Sequence, residues 1–74
     1  MRGKIKWWNR VKGYGFIIPD DGSPEVFFHH TKVREKRKVE AKLGRPQQAV
    51  EFEAFNSPKG PQADFVEVVD LMNP

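Results

Sequence analysis

Six of the nine aromatic residues crowd into one short stretch, as Trp7, Trp8, Tyr14, Phe16, Phe27 and Phe28. They sit in alternating runs, and side chains at every second strand position share a face. Such a chain calls for a sheet that buries some rings and presents the others. Gly3 to Asn9 alternates through Lys4, Ile5 and Lys6 and reads as a first strand with one buried face. Strict alternation puts Trp7 on the side of Ile5 and Trp8 with the lysines, unless a bulge re-aims the strand. Asn9 to Gly13 is a polar turn. In a second strand, Tyr14 to Pro19, Tyr14, Phe16 and Ile18 share one face and Ile17 points to the other. Glycines on both sides of Tyr14 suggest close approach of a backbone or ligand. After the turn Asp20 to Pro24, Glu25 to His30 forms a third strand, with Val26 and Phe28 on one face and Phe27 and His29 on the other. Pairing the second and third strands brings Tyr14, Phe16, Phe27 and His29 together. That aromatic face is too large to stand in water without a function. Ile17, Val26 and Phe28 go to the core.

The remainder alternates again. Val50, Phe52 and Ala54 face one way in Ala49 to Phe55, with Glu51, Glu53 and Phe55 opposite. A turn at Asn56 to Pro61 leads to a last strand, Ala63 to Leu71. Between the third and fourth strands lies Thr31 to Pro46, rich in helix formers. Its apolar residues Val33, Val39, Ala41 and Leu43 keep no clean helical stripe, so it reads as a long basic loop at about 32–46 with room for a helical turn. Five short strands with turn-rich links make an all-β fold, a five-stranded antiparallel barrel or sandwich. The 74 residues make one domain, 1–74. Without cysteine it must hold by packing alone. That absence fits a reducing cytosol, so a cytoplasmic location is expected. There is no apolar run long enough for a signal peptide or a membrane span.

Charge is uneven. Residues 1–16 carry five basic and no acidic side chains, and residues 32–45 carry seven basic and two acidic. Residues 46–74 carry one basic and five acidic. A basic block alone is usually a solvated face, but here Lys4, Lys6, Arg10 and Lys12 interleave with the rings. Flat π faces take bases and neighbouring cations take phosphates, which is what a single-stranded nucleic-acid platform requires.

Lys12-Gly13-Tyr14-Gly15-Phe16-Ile17 and Val26-Phe27-Phe28-His29-His30 resemble the two ribonucleoprotein motifs of the cold-shock domain. Gly3 to Asn9 (GKIKWWN) is similar to that family's opening strand, and Lys59 to Ala63 (KGPQA) to the start of its last. The resemblance runs from Gly3 to about Val69, with four segments in the family's order. It implies a five-stranded OB-type barrel that binds single-stranded RNA or DNA with low sequence selectivity and melts RNA secondary structure, as an RNA chaperone, during transcription or translation. The stacking set it implies is Trp7, Tyr14, Phe16, Phe27 and His29, with Lys6 and Lys12 near the backbone. It favours exposure of Trp7, which a bend or bulge would reconcile with the alternation. Two departures stand out. His30 replaces an aromatic of many bacterial relatives, and it still stacks, more weakly. The segment after Thr31 is longer and lacks their loop phenylalanine; Lys32, Arg34, Lys36, Arg37 and Lys38 stand there instead. The trade is loop stacking for phosphate attraction, with Lys36, Arg37 and Lys38, and Lys59 beyond, as further contacts.

Other readings are weaker. Trp8 and Phe28 are assigned to packing. His29 and His30, as strand neighbours, point apart and do not converge on a metal. Ser23 and Ser57 lie in proline turns, with no triad or paired carboxylates, and no phosphate-binding glycine loop is present. No enzyme and no cofactor is expected. A protein-interaction module could use the same rings for proline-rich peptides, but the interleaved lysines favour nucleic acid. The binding part of a nuclease would need a catalytic domain that 74 residues do not accommodate. A monomer is expected.

Overall fold

The computed structural model describes residues 1–69. Five strands close a barrel: β1 (Arg2–Asn9), β2 (Tyr14–Pro19), β3 (Val26–His29), β4 (Ala49–Ser57) and β5 (Gly60–Val68), in the order β1-β2-β3-β5-β4, with β4 returning to β1. All pairs are antiparallel except β3 and β5, which run parallel where Phe27 meets Gln62. The expected five-stranded all-β barrel is present, and its one parallel pair follows from parity. Directions cannot alternate around a closed ring of five strands, so one neighbouring pair must run the same way.

Alternation sorts the side chains as the sequence suggests. Ile5, Ile17, Val26, Phe28, Val50, Phe52, Ala63 and Val66 fill the interior, joined by Val33 and Leu43 from the connection between β3 and β4. Gly15 lets two strands close over Phe28, because a Cβ there would lie 2.9 Å from the Phe28 ring. Several boundaries shift. His30 leaves the strand and starts a short 3₁₀ turn, His30–Lys32. The last strand begins at Gly60, and the expected end at Asp70 and Leu71 lies outside the described residues.

The largest correction concerns the connection. Lys36–Leu43 is an α-helix, α1, rather than a loop with a helical turn. An eight-residue helix is marginal in isolation, so packing must hold it. Two apolar residues suffice: Leu43 is fully buried, and Val39, one turn earlier, packs half-buried on the same core. Val33, which spoiled the helical stripe, is not part of the helix. It bridges in parallel to Val66 of β5. Ala41 lies on the outer side, beside Arg10 and Arg37.

Candidate nucleic-acid interface

The register of β1 against β2 slips between Ile5 and Trp7: Ile5 faces Ile17, and Trp7 faces Phe16. One residue, Lys6, is thereby accommodated without a partner. A one-residue slip moves the following side chains to the opposite face. Trp7 thus leaves the side of Ile5 and joins the outer rings, 40% exposed. Trp8 turns inward and stacks on Phe28, with ring centroids 5.5 Å apart and planes 11° from parallel. This bulge answers the conflict between alternation and resemblance over the two tryptophans.

Four rings then form a contiguous outer surface on β1, β2 and β3. Phe16 pairs with Phe27, and Tyr14 with His29. Centroids lie 5.5 Å apart for Trp7 and Tyr14, 5.3 Å for Trp7 and Phe16, 5.5 Å for Tyr14 and Phe27, and 5.7 Å for Phe16 and Phe27. Their planes are mostly tilted or edge-on, with no parallel stack within the set, so the rings do not consume one another's faces. Tyr14, Phe16 and Phe27 are half-buried, held from below while open above.

His29 closes β3 and His30 opens the 3₁₀ turn, so their rings come to 4.5 Å and 41° on the same side. The expectation that they point apart fails because the strand ends between them. His29 Nδ1 is engaged with the Thr31 hydroxyl at 2.9 Å. Among the described residues, no group of three or more metal-ligating side chains is assembled. Gly13, at φ +74°, has its open side against His30: a Cβ there would meet the imidazole at 2.6 Å. Lost solvation, then the nearby Lys36 charge and His29, push the His30 imidazole below its ordinary value. In the β2–β3 turn, hydrogen bonds from Ser23 hold the Asp21 carboxyl below its usual range, in keeping with a solvated turn.

The cations fall into two groups. Lys6 Nζ reaches Glu25 at 2.7 Å, Lys36 reaches Glu40 at 3.9 Å, and Lys38 reaches Glu35 at 3.3 Å. Among the described residues, Arg10, Lys12, Arg37, Arg45 and Lys59 make no ion pair. Of the expected helix trio, only Arg37 is therefore uncommitted. It lines a hollow of about 260 Å³ with Arg10, Glu40 and Ala41. Arg10 was visible among the interleaved cations, but only the docking of α1 beside the β1–β2 turn gives it a companion. That turn is fixed by Asn9, whose side-chain oxygen accepts from the Lys12 N–H at 2.9 Å and whose carbonyl accepts from the Gly13 N–H at 2.8 Å.

At the opposite end, Lys59 lines a hollow of about 400 Å³ with Phe16, Glu25, Phe27, Pro61 and Gln62. Glu25, expected to open the third strand, borders this hollow and holds Lys6. Exposed pairs of this kind contribute about 0–1 kcal/mol, so a phosphate can displace Glu25 at little cost.

The family described as the 'Cold-shock' DNA-binding domain matches residues 1–69. The chain is 46% identical over 70 residues to "Probable cold shock protein A" of Mycolicibacterium smegmatis, covering 92% of this chain and 97% of the relative. It is 46% identical over 70 residues to a "Cold shock-like protein" of Thermotoga maritima, covering 95% of this chain and all of the relative (100%). It is 43% identical over 63 residues to "Cold shock-like protein CspE" of Escherichia coli, covering 85% and 87%.

Proposed function

The chain belongs to the cold-shock domain family of nucleic-acid-binding proteins, and from that premise we propose that it is a single-stranded RNA- or DNA-binding protein acting as an RNA chaperone. The observation that carries this reading is the open, contiguous surface of Trp7, Tyr14, Phe16 and Phe27 beside uncommitted cations. Bases stack on these rings and on His29 and His30. Lys12, Arg37 and Lys59 take phosphates, with Lys6, Lys36 and Lys38 contributing once freed from their carboxylates.

Stacking accepts any base, because every base has a π face, so sequence selectivity is low. The rings reach only unpaired bases. The protein therefore traps open strands and shifts the duplex equilibrium by mass action, with no bond made or broken and no cofactor. Melting or forestalling RNA secondary structure in this way affects transcription or translation. One domain, acting as a monomer in the cytoplasm, fits this role; among the described residues, no helix is long and apolar enough to cross a membrane.

The test is tryptophan fluorescence during titration with a single-stranded oligonucleotide and with its duplex, at two salt concentrations. Exposed Trp7 reports contact directly. Strong quenching by the single strand, weak response to the duplex and a salt-sensitive affinity are expected. Equal response to both would remove the stacking site, and no response to either would turn the face over to a protein partner.

A further inference from the structure

Phe55 carries a ring that neither the core nor the four-ring surface uses. It is 46% exposed on β4 and is not one of the buried residues that form the core. A single exposed apolar residue needs no explanation, but its register does. Phe55 faces Gln62 of β5, Gln62 faces Phe27 of β3, Phe27 faces Phe16 of β2, and Phe16 faces Trp7 of β1. Residues directly opposite on neighbouring strands share a face of the sheet. One row thus runs across all five strands of the barrel, with a ring at every place but one.

We propose that Phe55 is a further base-stacking residue, which extends the platform by one nucleotide past Phe27. This rests on the single-strand binding reading above. Phe27 and Phe55 stand two strand spacings apart, roughly 10 Å. The Gln62 side chain between them is half-exposed and makes no hydrogen bond among the described residues, so its amide is free to meet a base edge. Uncommitted Lys59, at the turn of the same hairpin, lies beside Gln62 and supplies a cation for the connecting phosphate. The platform ends there. Glu53, two residues back on the same face of β4, is exposed and repels the next phosphate. Asp64, the β5 residue left out of the pairing between Glu53 and Ala54, is already held by Lys32 at 3.4 Å.

The experiment is a length series of oligothymidylates from four to ten nucleotides, titrated against the full chain and its Phe55→Ala and Phe55→Trp variants. Wild-type affinity should rise with length to a plateau. Phe55→Ala should bind the shortest strands as the wild type does, plateau one nucleotide earlier, and be about five-fold weaker or more on long strands, the low end for one stacked base. Phe55→Trp should keep the wild-type plateau. Thermal unfolding of all three should coincide, since the ring is outside the core. If the wild type binds and Phe55→Ala matches it at every length, the inference falls and the ring is left to a protein partner. A loss equal at all lengths overturns it too, because a separate subsite would not act on the shortest strand. If the wild type binds none of the strands, the binding reading itself falls, and this inference with it.

Discussion

The ring-bearing face of β1 to β3 and the helical connection between β3 and β4 lie side by side, joined at His30, yet different forces hold them. The face is built from long-range pairings: Phe16 with Phe27, Tyr14 with His29, Trp7 with Phe16. Each outer ring stands on a strand whose alternate residues are buried, so the platform is as rigid as the core beneath it. The helix rests on two apolar contacts, Val39 and Leu43. It also opens with Lys36, Arg37 and Lys38 and carries no acidic residue in its first turn. Cations at that end oppose the helix dipole, each by about 0.3–1 kcal/mol. Glu35, pairing Lys38 at 3.3 Å, relieves part of this. The face presents geometry on a stable base. The helix presents charge at some expense in stability.

The largest expected effect sets two neighbours against each other. Phe28→Ala removes a fully buried ring that also supports Trp8, and should cost about 3–5 kcal/mol of folding stability. Phe27→Ala, one residue earlier on the outer face, should leave unfolding nearly unchanged and cost about 1–3 kcal/mol of single-strand binding. Chemical denaturation and oligonucleotide titration on both variants separate the two quantities. If Phe27→Ala unfolds the chain while affinity per folded molecule holds, the outer face is core.

The same contrast explains what was legible in the sequence. Period-2 alternation is exact, so Ile17, Val26 and Phe28 could be sent inside and Tyr14, Phe16 and Phe27 outside without a structure. The family motifs added the roles of those rings. Alternation failed where the pairing slips: one unpaired residue at Lys6 exchanges the faces of Trp7 and Trp8, and nothing in KIKWWN itself marks the slip. The helix was hidden for a different reason. Val33, Val39, Ala41 and Leu43 read as one irregular stripe, when two belong to the helix core contact, one to a bridge with β5 and one to the outer surface. Phe55 was seen to point outward, but its place in the row depends on β3 lying beside β5, a non-sequential pairing. Arg10 likewise gained a companion only through the docking of α1.

A smaller effect tests what the helix adds. Because Lys36 and Lys38 are already paired, most of the helix's available charge sits on Arg37, beside Arg10. Replacing both arginines by alanine should lower the slope of log affinity against log salt by about 0.7 for each lost phosphate contact. Lys38→Ala alone should change the slope less than Arg37→Ala. Titrations at four or five salt concentrations give the slopes. Equal slopes for wild type and the double variant would make the helix a solvated surface and leave the face to bind alone.

The smallest effect probes the joint between the two regions. His30 is faced by His29 from the end of β3 and by Lys36 and Glu40 from α1. Packing strips water from its ring, and Lys36 and His29 disfavour a further positive charge, so its folded value lies below the ordinary one of about 6.5. The unfolded chain then binds the proton more readily than the folded one. His30 should contribute stability that is fully present above about pH 6.5 and lost as pH falls through the depressed folded value. His30→Phe keeps a ring and removes the titration, so the difference in melting temperature between wild type and variant should drift against the wild type from pH 7 to pH 5. Titration of the His30 ring by NMR gives the same answer at the residue: Lys36→Ala should move it back up toward the ordinary value. A His30 that titrates there already, indifferent to Lys36, would mean that the helix stands away from the platform in solution, and that face and helix act on a strand independently.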